Sequence, residues 1–416
     1  MPPSTLPPSP NPVIVAEPRI VWRENQVAYS ARWRSAAGNA PPARVVLADD
    51  TMTADAAFRL ASEGSALLWR GDFQNARQLL QAIARRIDRA PRRARKKPAG
   101  APSMRDAFNV YRQAQSQRAR TLGMLLVPLT AGYAVPLRRA PDLRQACIEA
   151  LGPAPVGAPE YDDTAGPRDT GTASVVSLRE LLGIVGAHEW RKKGVPVPAL
   201  SAAIHPHYGV FAPVRGEYVA LVAQAPLPQP DCAFDIGTGT GVLAAVLAQR
   251  GVARIIATDL DPRALDCARD NLARLGLAER VSVVQADLFP PGRASLVVCN
   301  PPWLPARPSS PLEHAVYDPD SCMLRGFLDG LSNHLVPGGE GWLILSDLAE
   351  HLGLRSREWL LAQIDAAGLR VIDRIDVKPQ HPRVSDTADP LHAARAAEIT
   401  SLWRLCTAAE AEAEAA

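Results

Sequence analysis

The residues of this chain most suited to chemistry fall into three groups, and their spacing matters as much as their types. The run Phe234-Asp235-Ile236-Gly237-Thr238-Gly239-Thr240-Gly241 reads as an apolar strand carrying an acid and ending in a Gly-x-Gly-x-Gly turn. Glycine accepts positive φ and has no Cβ, so such a turn lets the backbone approach a ligand closely. Asp259 (with Leu260) and Asp287 (with Leu288 and Phe289) each close a further short apolar run. A carboxylate at the first position can accept both hydroxyls of a ribose. One at the second can contact an adenine amino group while the apolar pair covers the ring, and Asp235 can meet an ammonium group directly or through water. The third group is Asn300-Pro301-Pro302-Trp303. If the Asn300 side-chain carbonyl and the Pro301 backbone carbonyl accept the two N–H bonds of a conjugated amine, that nitrogen is held pyramidal with its lone pair aimed one way. Trp303 can stack on a planar amide or base and tolerate developing positive charge, and the prolines fix the turn. Each piece alone has an ordinary structural reading as a helix cap or an Asn-Pro turn. Three acids on three successive strand ends, at this distance from Asn300, point to a site.

The elements that must hold these residues are legible from about residue 201 onward. Ala233–Asp235, Ala253–Asp259, Val281–Asp287, Leu296–Asn300 and Trp342–Ser346 are short apolar runs of the kind expected for buried parallel strands. Helical patterns at Val242–Arg250, Arg263–Leu275, Ser321–Leu335 and Arg355–Ala367 separate them, and late strands at Arg370–Val377 and Glu398–Leu405 supply a final hairpin. This alternation predicts an α/β fold, a Rossmann-like doubly wound sheet over residues 201–407. Ligands of such sheets bind at the carboxyl ends of the strands near the switch in strand order, where the three groups lie. A dinucleotide fingerprint would need glycine at position 242, and valine stands there.

Before residue 201 the patterns are weaker. Arg19–Ser30 and Val45–Asp49 are strand-like; Phe73, Ala76, Leu79, Leu80, Ile83 and Ile87 form a helical stripe behind a capping Asp72. Met104–Arg120, Asp142–Ala150 and Val175–Arg191 also read as helices, with Leu122–Leu137 strand-like between the first two, so residues 19–200 are expected to be a mainly helical α+β domain for substrate recognition or an accessory role. The proline-rich residues 1–18 and the Ala/Glu tail 408–416 are expected to be disordered, and residues 151–172 to form a linker or exposed loop.

Net charge is +3, but it is unevenly spread: residues 1–204 hold 28 Lys/Arg against 17 Asp/Glu, and residues 205–416 hold 18 against 26. Arg85–Lys97 alone contains eight basic residues and one acid. The bland reading is a solvated loop, or docking of a basic half on an acidic one. The sharper reading is a grip on RNA or an acidic protein surface. Six scattered cysteines with no Cys-x-x-Cys pair argue against structural zinc or a disulfide framework and fit a cytoplasmic protein. His205 and His207, beside Pro206, read as a turn rather than metal ligands. No apolar run reaches membrane-spanning length. The oligomeric state is left open.

Residues 205–350, extending through 405, resemble the class I S-adenosylmethionine-dependent methyltransferases of the methyltransferase small-domain superfamily. The resemblance is carried by the glycine turn, the strand-end acids and Asn-Pro-Pro-Trp, where the superfamily has Asn-Pro-Pro-aromatic. It is similar to the release-factor glutamine N5-methyltransferases, whose usual tyrosine is here Trp303. The resemblance implies S-adenosyl-L-methionine as cofactor, with Asp235, Gly237, Thr238, Gly239, Gly241, Asp259, Leu260, Asp287, Leu288 and Asn300 around it. Asn300, Pro301 and Trp303 would act on the acceptor. His205–Glu217 looks like the Val-Phe-x-Pro-Arg-x-x-x-Glu region of the same superfamily, which adds Phe211 and, with its arginine displaced, Arg215. The implied reaction is methylation of an amide or exocyclic amino nitrogen: on a protein glutamine, on an RNA or DNA base, or on a small molecule.

Overall fold

The computed structural model describes residues 17–89, 103–154, 173–228, 231–380 and 386–408. The leader through residue 16, the linker residues 155–172, the basic residues 90–97 and the tail from residue 409 lie outside them. The chain forms two compact units. The first comprises residues up to Arg86, Thr121–Asp142 and Ala154–Glu180; the second comprises Ile87–Arg120, Leu143–Pro153 and Leu181 onward.

The first unit is built on a six-stranded mixed sheet. Its strands are β1 (Arg19–Glu24), β2 (Val27–Arg34), β3 (Arg44–Ala48), β4 (Ser65–Trp69), β5 (Leu125–Leu129) and β6 (Ser174–Ser177), in the order β1-β2-β6-β5-β4-β3. Helix α1 (Ala54–Ser62) links β3 to its parallel neighbour β4, and α2 (Phe73–Arg89) follows. Ile20, Trp22, Trp33, Leu68, Leu126 and Val175 pack together in its core. The expectation of a mainly helical N-terminal domain is therefore corrected. Strands β4 and β6 are buried at every position and show no alternation to mark them. The β6 residues Val175–Ser177 read instead as the start of the helix that follows. The stripe on α2 is buried through Phe73, Ala76, Leu79, Leu80 and Ile83, and the Asp72 carboxylate accepts the Gln74 N–H at 2.8 Å. Arg139 at 2.5 Å holds that carboxyl down to about 2.

The second unit opens with α3 (Met104–Leu122), α4 (Arg144–Leu151) and α5 (Leu178–Lys193), then a short hairpin of β7 (Val195–Val197) and β8 (Ala202–Ile204), then α6 (Glu217–Gln224). Its sheet contains β9 (Cys232–Ile236), β10 (Arg254–Asp259), β11 (Val281–Gln285), β12 (Ala294–Cys299), β13 (Leu335–Ser346), β14 (Leu369–Val377) and β15 (Thr400–Thr407), in the order β11-β10-β9-β12-β13-β15-β14. Strands β9 to β13 run parallel, and β15 is antiparallel to both its neighbours. Strand order reverses between β9 and β12, the expected switch point.

Successive residues of a strand point to opposite faces, and helices cover both. Ala233, Ile255, Val298 and Ile344 pack under α6, α7 (Val242–Gln249) and α8 (Pro262–Arg274). Phe234, Val297, Cys299 and Leu345 pack under α9 (Cys322–His334) and, after the short α10 (Leu348–His351), α11 (Arg357–Ala366). Burying one of these valine, isoleucine, leucine or phenylalanine side chains fully stabilises the fold by about 1.5–3 kcal/mol. This two-faced burial leaves the carboxyl ends of β9, β10, β11, β12 and β13 along one edge of the sheet.

Candidate functional site

Adjacent strands bring the glycine turn and the Asn-Pro-Pro-Trp segment side by side. Ile236 of β9 pairs with Cys299 of β12, so Gly237 and Asn300 leave the sheet next to each other, about one strand spacing (~4.8 Å) apart. On the other flank Thr258 of β10 also pairs with Ile236, and Asp259 follows it.

The turn is tied down by backbone N–H groups and acids. Gly237, Gly239 and Gly241 have φ of +70°, +55° and +80°, values that disfavour any side chain. Thr238 N–H donates to the Thr258 carbonyl at 2.8 Å. The Asp259 carboxylate accepts Gly239 N–H at 3.0 Å on one oxygen and Asp261 N–H at 3.0 Å on the other. Burial raises the Asp259 pKa, and these N–H bonds oppose the rise. Asp235 is 1% exposed. Its Oδ2 accepts the Thr238 hydroxyl at 2.6 Å and the Ala244 N–H, in the first turn of α7, at 3.0 Å. Burial pushes its pKa up to about 6, with the Asp259 charge adding to the rise. A Cβ on Gly237 would strike Met323 Cε at 2.6 Å, whereas one on Gly239 would meet nothing within 4 Å. The turn is thus packed behind Gly237 and open at Gly239.

Beyond β11 the structure divides the residues expected to lie together. Leu288 holds a left-handed φ of +68°, unusual for a branched side chain, and its carbonyl accepts the Thr258 hydroxyl at 2.6 Å. Phe289 turns to α9 instead, its ring 4.2 Å from that of His334 and 5.9 Å from that of Phe327. Asp287 and Leu260 are exposed. Asp261 caps α8 through the Arg263 N–H at 3.0 Å. Phe211 is half-buried in the segment between β8 and α6.

At Asn300 the side chains form a connected set. The Trp303 indole N–H donates to Asn300 Oδ1 at 2.9 Å. The Arg215 guanidinium carbon lies 5.9 Å from the Trp303 ring centroid, and Arg215 pairs at 3.3 Å with the fully buried Glu398. Glu398 Oε1 also accepts the Ser346 hydroxyl at 2.7 Å. Arg355 donates to the Trp303 carbonyl at 3.2 Å and to Ser321 Oγ at 3.2 Å. Sequence reasoning did not single out Thr258, Met323, Arg355 or Glu398. Only the position of Thr258, one residue before a strand-end acid, signals a role.

The segment after Trp303 folds back on itself, with Leu304 and Val316 joined at 3.1 Å and Asp318 and Leu304 at 2.9 Å. It is clamped by α3: Arg112 lies 3.9 Å from the centre of the Tyr317 ring, pairs with Glu313 at 3.2 Å and donates to the Arg307 carbonyl at 2.7 Å. Phe108 of α3 packs with Leu304, Leu348 and Leu352. The Asp318 carboxylate accepts the Met323 and Leu324 N–H groups at 3.1 and 3.2 Å, which fixes the start of α9.

His205 Nδ1 lies 2.6 Å from the Arg191 carbonyl and His207 Nε2 lies 3.0 Å from Asp270, so both are held in the turn. Among the described residues there is no cluster of three or more metal-ligating side chains, and no helix is long and apolar enough to cross a membrane. The six cysteines are free, five of them buried.

Known proteins resemble part of this chain. The family described as ribosomal protein L11 methyltransferase (PrmA) matches residues 222–301. A release factor glutamine methyltransferase of Cereibacter sphaeroides is 33% identical over 180 residues, covering 40% of this chain and 61% of its own length. A tRNA1(Val) (adenine(37)-N6)-methyltransferase of Shewanella loihica is 32% identical over 144 residues, covering 32% of this chain and 59% of its own length. The chain thus spans less than two thirds of either relative. Among solved structures, a ribosomal protein L11 methylase from Lactobacillus delbrueckii subsp. bulgaricus is 16% identical, with 50% of this chain and 86% of that one covered and a TM-score of 0.35.

Proposed function

We propose, on the premise that the second unit is a class I S-adenosylmethionine-dependent methyltransferase domain, that the protein methylates an amide or exocyclic amino nitrogen, with a protein glutamine as the acceptor. The observation that carries this reading is the register of β9 against β12, from which Gly237 and Asn300 emerge side by side. A glycine turn for the donor and an amide acceptor for the receiving nitrogen are thereby adjacent.

The residues present fit S-adenosylmethionine. Asp259 is oriented by two N–H bonds, and its remaining lone pairs suit the two ribose hydroxyls. Gly239 leaves open space beside the backbone. Leu260, Asp287 and Leu288 supply the adenine side. Asp235 holds the turn to the first turn of α7 and puts negative charge behind the place where an ammonium group would lie. When bound, the cofactor supplies an electrophilic methyl on sulfur. The chain's own task is alignment, which accounts for much of the catalysis when the leaving group departs readily. Asn300 Oδ1 and the Pro301 carbonyl accept the two N–H bonds of the acceptor and Trp303 stacks on its plane; the nitrogen's lone pair takes the methyl as the methyl–sulfur bond breaks with its electrons left on sulfur, and the nitrogen's surplus proton passes to water. Residues 201–407 carry this chemistry, and the region before them recognises the acceptor.

A base amino group of RNA is the second reading. The excess of 28 Lys/Arg over 17 Asp/Glu in residues 1–204 favours it, as does the tRNA adenine methyltransferase among the similar proteins. Incubation with methyl-labelled cofactor and separated protein and RNA fractions of a lysate, followed by mass spectrometry, distinguishes the two. The label is expected on a glutamine side chain, and label on an RNA base alone would overturn that choice. Asn300→Ala is expected to lower turnover about a hundredfold or more with donor affinity nearly intact; wild-type turnover would reduce the segment to a structural turn.

A further inference from the structure

We infer that Trp303 is a positioning residue for Asn300, and that the Arg215–Glu398 ion pair holds Trp303 to that task. This goes beyond stacking on the acceptor, and it rests on the proposed role of Asn300.

An indole N–H can only donate, so the Asn300 atom 2.9 Å from Trp303 Nε1 has to be the amide oxygen. That bond fixes which way the amide faces. An unpinned Asn can turn its NH2 towards the acceptor, which would repel the N–H it is meant to receive. With the oxygen pinned, one lone pair is taken by the indole, and the other is left for one N–H of the acceptor. A phenylalanine or tyrosine ring has no donor at this place, so the pin belongs to tryptophan.

Trp303 is itself fixed. Arg355 holds its carbonyl at 3.2 Å, and its ring packs against both apolar cores of the sheet. The third restraint is Arg215 beside the ring, a placement that attracts a cation to the indole. Arg215 is anchored by Glu398, which is 1% exposed and immediately precedes the segment leading into β15. Ser346, at the end of β13, holds the same Glu398 oxygen at 2.7 Å. The other oxygen, Oε2, is buried with no hydrogen-bond partner. A carboxylate so placed depends on its cation, because breaking a buried pair leaves an uncompensated charge. The dependence keeps Arg215 where it is. The result is a chain of contacts from two strand ends through Glu398, Arg215 and Trp303 to Asn300.

The test is a double-mutant cycle on turnover in the full-length protein. Trp303→Phe keeps a ring and removes the N–H. It is expected to lower kcat about fivefold to tenfold, the worth of one hydrogen bond, with acceptor KM and donor Kd within about twofold. In the Asn300→Ala background the same change is expected to alter kcat less than twofold, because there is no amide left to orient. Glu398→Gln, which removes the charge and keeps the shape, is expected to lower kcat in the wild type and to add little in Trp303→Phe. Losses that multiply across the Asn300 and Trp303 changes would overturn the inference, as would wild-type kcat in Trp303→Phe. Wild-type turnover in Asn300→Ala alone would instead overturn the proposed function, so the two failures are distinguishable.

Discussion

Asp72, three residues beyond β4 in the first unit, has Arg139 at 2.5 Å and Arg138 at 3.3 Å, and its carboxyl is held down to about 2. Asp235 in β9 of the second unit has no ion-pair partner among the described residues, and burial lifts it to about 6. Asp259 is also raised by burial, with backbone N–H groups as its hydrogen-bond partners. Both sheets therefore present acids near their strand ends, and the two units treat them in opposite ways. An acid already neutralised by arginine is complete as structure, and a cationic ligand would have to compete for it. An acid buried with only uncharged donors, N–H groups and for Asp235 the Thr238 hydroxyl, is unfavourable when ionised, and a cation or a hydroxyl pair relieves it. The contrast supports the proposed reading, in which the edge of the second sheet receives the ligand.

The largest effect that could break this contrast is on cofactor affinity. Asp259→Ala is expected to weaken binding of S-adenosylmethionine by about 2–4 kcal/mol by calorimetry, and Asp72→Ala to leave it unchanged. Equal affinity in the Asp259 variant would remove the ribose assignment.

Stability against pH sharpens the contrast, because the two acids have opposite signs. A raised pKa means the folded protein prefers Asp235 protonated, so its contribution is full below about pH 4 and is lost as pH rises through about 6. Asp235→Asn has no charge to bury. Urea unfolding is expected to show it gaining on the wild type by up to about 3 kcal/mol between pH 4 and pH 7, and a gain that runs the other way would mean the acid is ionised comfortably.

A smaller effect is expected at the open glycine. Gly239→Ala adds a methyl that meets nothing within 4 Å, at a φ of +55°, so the strain alone costs about 1–2 kcal/mol. Thermal unfolding should report that loss, while donor affinity falls further because the methyl enters space reserved for the ligand. Retained affinity would mean that the open space serves no ligand. The least effect concerns Asp72, whose depressed pKa places its stabilisation above about pH 4 and removes it as pH falls towards 2. Asp72→Asn should flatten that acid limb and leave the limb near pH 6 alone.

Legibility in the sequence followed the same division. In the second unit β9 to β12 are short apolar runs between helices of regular period, so they and the late pair β14 and β15 lie within a few residues of the positions expected from pattern alone, whereas the hairpin β7–β8 and the first half of β13 were not expected. In the first unit β4 and β6 are runs of five and four residues buried throughout, and β6 leads straight into the helical pattern of α5. Its partners are β2 and β5; β2 lies some 140 residues earlier, beyond the reach of any local period. At the site, the glycine turn, Asp235, Asp259 and Asn300 could be singled out because they recur together at the ends of successive apolar runs, although each type alone is common there. Glu398 was not, since its place depends on β15 inserting between β13 and β14. The Trp303–Asn300 bond was not, since spacing cannot give the direction of a ring.

The clamp of α3 on the segment after Trp303 bears on how the chain can be made. Phe108 and Arg112 are synthesised more than 190 residues before Leu304 and Glu313, the groups they meet, and β5 of the other unit follows them almost at once. On a growing chain the apolar side of α3 stays without these partners until about 200 further residues have been made. Contacts of such separation are entropically costly to close early. The segment after Trp303 should therefore be among the last parts to order, after the β9–β12 core from which it leaves. Folding followed by pulse-labelled hydrogen exchange would find the α3 amides protected late, together with those near Leu304 rather than with β5, their neighbour in sequence.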